Sequence, residues 1–338
     1  MADERGAPSP ERVIDAFQAF HRTAAVKAGV ELDLFTAIGE GVDTTPALST
    51  RCRAAERGIR VLCDYLVVLG FLRKESDRYA LSVDAASFLD RNSPAYFGSA
   101  VNYFAGELNQ GAFASLTAAV RRGGTALPGD GVLAPEHPVW VEFARAMAPI
   151  GAFLSTLLAN LLAVRTGGRM KVLDLAAGHG LYGIALLREN PLAEVVAVDW
   201  PNVLAVAQRN AERAGVADRF RTMPGSALAT EFGEGYDLVL LVHFLPDLDP
   251  ATCVRLLNKV HAALVPGGRA VALGLVPNED RISPPIAAAF SLVALATTGG
   301  GDSYPFSELD RMFRSAGFER TELQALPPSP EHAVIAYR

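Results

Sequence analysis

The sequence predicts an α/β protein, a Rossmann-like doubly wound sheet preceded by a mainly α-helical domain. Three observations predict it. From Gly168 onward, apolar strands alternate with amphipathic helices, the pattern of a parallel sheet covered on both faces. The first of these strands runs into a glycine turn, Gly178-His179-Gly180-Leu181-Tyr182-Gly183, that opens a helix. Before Asp90 the order is helix, helix, hairpin, with no such alternation.

In the N-terminal part, expected over 1–92, Val13, Phe17, Phe20, Ala24 and Ala28 recur at helical spacing, and Gly29 is expected to end the run. Thr45-Pro46 reads as a cap followed by proline in the first turn of a helix. A further helix rich in Ile59, Leu62, Leu66 and Leu69 follows, and then two short strands at 70–74 and 78–81. This is a winged-helix order. A DNA-reading winged helix needs a polar, basic face, but here Arg57 and Arg60 stand among Val61, Leu62, Tyr65, Leu66, Val67 and Val68. The apolar surface between Ile59 and Leu69 is expected to bury against another subunit.

The totals agree. The chain has 338 residues, a net charge of −6, 50% hydrophobic and 20% charged residues. That balance argues against a nucleic-acid partner, which requires clustered Lys and Arg. Cys52, Cys63 and Cys253 are few and odd in number, as in a reducing compartment. The first residues, Met1-Ala-Asp-Glu-Arg-Gly, lack the features of a signal peptide, so a cytoplasmic location is expected. The apolar runs 148–164 and 286–298 are too short or too interrupted to span a bilayer, so no membrane association is expected and both read as buried helices.

Connecting helices over 93–167 are expected to cover a pocket lined by Phe143, Met147 and Phe153, joined by Phe290. The third part, 168–338, reads as strands at 171–175, 194–199, 220–223, 236–242 and 269–276. Helices at 181–189, 203–214, 251–264 and 306–316 lie between them, and a strand hairpin closes the chain. Ligands are expected at the carboxyl ends of these strands.

The glycine turn with Asp199 closing the next strand would suit a nicotinamide dinucleotide. Asp174, however, stands at the end of the first strand, at the mouth of the turn, where it would repel a pyrophosphate and attract a cation. S-adenosylmethionine, with its sulfonium and ammonium groups, suits that carboxylate better.

On these residues the sequence resembles the class I S-adenosylmethionine-dependent methyltransferases. Asp174-Leu-Ala-Ala-Gly-His-Gly180 is similar to their first motif, with Ala176 at the position of its first glycine. Asp199 is similar to their acidic second motif, and Val265-Pro266-Gly267-Gly268 to the turn before their fifth strand. With the winged N-terminal part, nearly the whole chain resembles the small-molecule O-methyltransferases of secondary metabolism, the caffeate and polyketide-tailoring type. The resemblance implies that Gly178 and Gly180 contact the cofactor through backbone, Asp199 binds the ribose and Trp200 lies beside the adenine. It further implies that Gly225, Ser226 and Ala227 meet the adenine amine, that Val242 borders the same site, and that the N-terminal domain makes a homodimer.

Methyl transfer to an oxygen needs the acceptor held roughly 3–3.5 Å from the methyl carbon, and for a phenol the family adds a histidine base. Here Pro246 occupies the usual histidine position. Three accounts follow. His243 acts as base with Asp247 orienting it, or positioning alone suffices for an acidic hydroxyl or a carbon acceptor, or the fold has lost methylation. No metal site is expected, since His243 and Asp247 are only two ligands. Glu308 reads as helix-capping chemistry with Ser303 or Ser307. The expected activity is S-adenosylmethionine-dependent O-methylation of a small aromatic or polyketide-like natural product. The rivals are C-methylation or a non-methylating reaction on the same cofactor, a nicotinamide-dependent oxidoreductase, and a ligand-sensing winged-helix regulator.

Overall fold

A computed structural model describes residues 9–129, 131–163 and 168–338. The N-terminal hexapeptide read for a signal sequence, and Val164 at the end of one apolar run, lie outside the described residues. The chain divides into two compact units, Met1–Gly106 and Glu107–Arg338. The helices expected as one connecting segment over 93–167 are therefore shared between the two units, because packing rather than chain position decides membership.

The first unit holds helices Glu11–Glu31, Leu34–Gly39, Thr45–Cys52 and Glu56–Val68, then strands β1 (Leu72–Glu75) and β2 (Arg78–Leu81) and the helix Val83–Phe88. The helices at Leu34 and Val83 were not legible in the sequence. Gly29 does not end the first helix. A Cβ there would lie 2.7 Å from the Phe35 ring, so glycine permits a close helix approach within an uninterrupted helix. The apolar face of Glu56–Val68 also departs from expectation. Ile59, Cys63 and Leu66 are buried in this unit's own core with Leu34, Phe35, Leu48 and Leu72, so they are not a subunit surface. Val61 and Val68 of the same helix are exposed, and a longer exposed apolar stripe lies on the first helix, where Phe17 is 74% and Phe20 67% exposed beside Val13 and Ile14.

The second unit is built on a seven-stranded sheet. Its strands are β3 (Met170–Leu175), β4 (Ala193–Asp199), β5 (Phe220–Pro224), β6 (Tyr236–Val242), β7 (Leu264–Gly274), β8 (Arg320–Ala325) and β9 (His332–Tyr337), in the order β5-β4-β3-β6-β7-β9-β8. The first five are parallel, and β9 enters antiparallel to β7 with β8 outside it. The near-continuous apolar character of β3, β4 and β6 follows from burial on both faces. One face packs Leu173, Leu175, Val239, Leu241 and Ala270 against helices Pro250–Ala263 and Phe306–Ser315. The other packs Val172, Val195, Leu238 and Leu240 against Ala148–Leu161, Leu181–Glu189 and Pro201–Arg213.

Two consequences position the site. The carboxyl ends of β3, β4, β6 and β7 share one edge of the sheet. Because β9 runs the other way, with His332 opposite Gly274, the residue just before β9 reaches that same edge. Of the two apolar runs read as buried helices, Ala148–Leu161 buries Leu154 and Leu158 but leaves Phe153 exposed, and Pro285–Thr297 exposes Ile286 and Leu292. Among the described residues no single helix is long and apolar enough to cross a membrane.

Candidate active site

The turn after β3 is held in left-handed conformations. Ala176, Gly178 and Gly180 have φ of +53°, +56° and +72°. The two glycines serve different purposes. Around Gly178 a Cβ would meet only the Ala176 carbonyl at 3.9 Å, so the turn leaves open space beside its backbone. At Gly180, the residue preceding helix Leu181–Glu189, a Cβ would collide with Ala207 at 2.8 Å, so this glycine lets the turn pack on Pro201–Arg213. Ala176 adopts the left-handed region without glycine's freedom, at a strain cost of about 1–2 kcal/mol.

Asp199, at the end of β4, ties the turn to its neighbour. One carboxylate oxygen accepts the Gly178 N–H at 2.8 Å and the other the Trp200 N–H at 2.7 Å. Burial pushes its carboxyl up to about 6, against the pull of those two donors. Asp174 lies beneath the turn rather than at its mouth. It is 1% exposed, and its Oδ2 has no hydrogen-bond partner. Burial pushes this carboxyl up to about 8, with the Gly183 N–H opposing and Asp199 adding to the rise. A Cβ at Gly183 would stand 3.2 Å from the same Oδ2, so glycine there gives the carboxylate its room.

Trp200 precedes helix Pro201–Arg213 and packs with Trp140, Val141, Ala144 and Val203. Trp140, which donates from Nε1 to the Val132 carbonyl, went unnoticed in the sequence. Gly225 donates its N–H to the Asp199 carbonyl at φ +146°, where a Cβ would strike Thr230 Oγ1 at 2.2 Å. The Ser226 hydroxyl accepts the Leu228 N–H, capping its own turn. Ala227, next in the chain, is 6% exposed and packs in the core on one face of the sheet. Val242 is half-buried at the end of β6.

His243 follows β6 at φ +53°, and its N–H donates to the Leu273 carbonyl at 2.8 Å. Its imidazole Nε2 lies 2.9 Å from Glu331 Oε2, on the turn before β9. Asp247 was expected to orient His243; instead Glu331 holds it, since β9 delivers a carboxylate to the sheet edge and Asp247 sits in the separate 3-10 turn Leu245–Asp247. Burial works against a charged His243. The Glu331 carboxylate, by charge and hydrogen bond, with Asp247 adding, outweighs it and holds the imidazole above its ordinary value. Burial pushes Asp247 itself up to about 7.

An aromatic series links this pair to the cofactor turn. The Tyr182 ring meets His243 edge-on at 6.4 Å and stacks on His179 at 5.6 Å. His179 is 6% exposed and pushed down to about 3 by burial, so it stays neutral, lodged where a Cβ on Gly151 would fall 2.1 Å from its Nε2.

The four expected pocket residues are less closely gathered. Phe143 meets Trp140 edge-on, and the Met147 N–H bonds its carbonyl. Phe153 is 48% exposed, and Phe290 lies half-buried on Pro285–Thr297. None of them lines the small apolar cavity bounded by Leu241, Leu245, Pro246, Tyr304 and Leu309. Glu308 does not cap its helix: it pairs with Arg281 at 2.6 Å, and Ser307 bonds Glu279.

The residues fit S-adenosylmethionine. A buried carboxylate oxygen without a partner matches a cationic ligand, and the open backbone at Gly178 leaves space for one. Among the described residues no group of three metal-ligating side chains exists.

Comparison with known proteins agrees. Residues 143–319 match the O-methyltransferase domain family, and residues 14–91 the O-methyltransferase dimerisation domain. The chain is 30% identical over 331 residues to 3-hydroxy-5-methyl-1-naphthoate 3-O-methyltransferase of Streptomyces sahachiroi, covering 97% of this chain and 94% of that one. A crystal structure of a candidate O-methyltransferase from Nostoc punctiforme superposes with a TM-score of 0.95 at 47% identity, over 98% of this chain and 100% of that one. Human N-acetylserotonin methyltransferase in complex with S-adenosylmethionine shares the fold, with a TM-score of 0.83 at 20% identity over 100% and 99% of the two chains. The chain belongs to the O-methyltransferase family and is an S-adenosylmethionine-dependent methyltransferase.

Proposed function

We propose that this enzyme methylates a hydroxyl of a small aromatic or polyketide-like natural product, with His243 as the base. The observation that carries the reading is an imidazole at the carboxyl edge of the sheet, linked to the cofactor turn through Tyr182. When bound, S-adenosylmethionine supplies an electrophilic methyl group on a sulfonium. Asp199 binds the ribose hydroxyls, Trp200 flanks the adenine, and Gly225 with Ser226 meets the adenine amine. Gly178, beside Ala176 and Gly180, and Val242 border the methionine part, and Asp174 offers its buried carboxylate to the cation. His243 takes the hydroxyl proton, and Phe143, Met147 and Phe290 exclude water from the acceptor. The chemistry and the aromatic relative of known substrate both favour such an acceptor.

Mass spectrometry of products from methyl-deuterated cofactor, offered with phenols, polyketides and keto acids, tests this directly. A trideuteromethyl group on a phenolic or enolic oxygen is the expected result. Label on carbon, or none on any acceptor, would overturn the O-methylation reading.

The enzyme acts as a cytoplasmic homodimer through the first unit. The exposed stripe of Val13, Ile14, Phe17 and Phe20 on helix Glu11–Glu31 supports this, since it leaves two phenyl rings in water on a domain of the dimerisation family. Burying a Phe side chain contributes about 1.5–3 kcal/mol. Phe17→Asp with Phe20→Asp is therefore expected to raise the dimer dissociation constant by about 10²-fold or more, read by sedimentation equilibrium. An unchanged constant would place the contact elsewhere.

A further inference from the structure

We propose that Glu331 is the positioning residue of a His243–Glu331 dyad: it fixes the imidazole tautomer so that Nδ1 is the proton acceptor for the substrate hydroxyl. The inference deepens the reading of His243 as base and rests on it.

The placement comes from topology. His243 and Glu331 are 88 positions apart in the chain, yet Nε2 and Oε2 stand 2.9 Å apart because β9 runs antiparallel to β7 and starts at the edge where β6 ends. The Glu331 side chain is only 12% exposed and that of His243 30%, so water screens the pair weakly. The Glu331 turn is itself fixed. Its N–H donates to Ser329 Oγ at 3.0 Å, and its carbonyl accepts the Leu326 N–H at 3.0 Å. His243 is held from the other side by its backbone bond to Leu273 and by the edge-on Tyr182 ring.

A carboxylate accepts only, so Nε2 carries the proton in this hydrogen bond, and the lone pair is left on Nδ1. The balance of the step follows. The acceptor O–H bond breaks as the Nδ1–H bond forms, and the oxygen's electron pair makes the bond to the methyl carbon. The electron pair of the broken carbon–sulfur bond stays on sulfur. The imidazolium so formed is paired with Glu331, so the dyad passes from one negative charge to none. This arrangement answers the proline at position 246, where the resemblance places the usual base, because the imidazole three positions earlier gains a carboxylate from the turn before β9.

The groups facing His243 are few. Glu331 and Asp247 favour its charged form. The Tyr182 hydroxyl, kept protonated by burial, and neutral His179 behind it carry no charge at working pH. Replacing the Glu331 charge thus isolates one contribution.

The test uses the full-length enzyme in two readouts. Imidazole NMR titration of the cofactor-free protein should show the His243 pKa falling in Glu331→Gln and returning in Glu331→Asp. The acidic limb of the kcat/KM profile should move down with it in Glu331→Gln and return in Glu331→Asp. At pH 8, kcat in Glu331→Gln should fall about tenfold or more while KM changes less than about twofold. If His243→Ala lowers turnover but Glu331→Gln moves neither the titration nor the acidic limb, the Glu331 assignment is overturned and the base reading survives. If His243→Ala leaves turnover unchanged, the base reading fails, and the dyad with it.

Discussion

His243→Ala is expected to lower kcat by about 10²- to 10⁴-fold with a much smaller change in KM, the range for loss of a positioned general base. A non-glycine residue at φ +53° carries strain of about 1–3 kcal/mol, kept only where the surroundings over-determine it. Here the Leu273 carbonyl fixes the backbone and Glu331 the ring. Strain alone does not establish catalysis, so dependence on acceptor acidity decides. Across a series of phenols, the loss in His243→Ala should shrink as the acceptor becomes more acidic, since an ionised oxygen needs no base. A loss independent of acceptor acidity, or no loss, would transfer the mechanism to positioning alone.

The two halves of the site differed in how readily the sequence disclosed them, for physical reasons. The turn from Asp174 to Gly180 was legible because its backbone demands are local: positive φ at Gly178 and Gly180 leaves a mark at the position itself. Strands β3, β4 and β6 were read nearly to the residue, since burial on both faces makes them unbroken apolar runs. Glu331 left no such mark. Its role depends on the register of β9 against β7, a long-range pairing, whereas the carboxylate near His243 in the chain is Asp247. Asp174 was placed correctly on its strand but at the wrong depth, since a sequence does not state how far the turn folds over the strand end. The helix Glu56–Val68 shows a related limit. Apolar periodicity identifies a face to be buried but not what buries it, and Ile59, Cys63 and Leu66 turned out to face their own domain while the stripe on the first helix stayed exposed.

Asp199→Ala is expected to weaken S-adenosylmethionine binding by about 10²-fold or more by calorimetry, because the change removes a charged hydrogen-bond acceptor and releases the Gly178 turn together. The same carboxylates make binding depend on pH. With Asp174 pushed up to about 8 and Asp199 to about 6, the cofactor-free fold favours both protons. Their contribution to stability is fully present below the unfolded values near 4 and is lost as pH rises through about 6 and then about 8. A cation bound against Asp174 reverses its preference and expels its proton. Affinity for S-adenosylmethionine should therefore rise between pH 6 and 8, by at most about tenfold per unit for each proton released. S-adenosylhomocysteine lacks the sulfonium charge and should show a shallower slope, which separates attraction to the sulfonium from a general effect of pH on the fold. Calorimetry in buffers of different ionisation enthalpy counts the protons directly. Release of protons on binding at pH 7, reduced in Asp174→Asn, is the expected outcome. Uptake, or equal slopes for the two ligands, would show that Asp174 does not read the cofactor's charge.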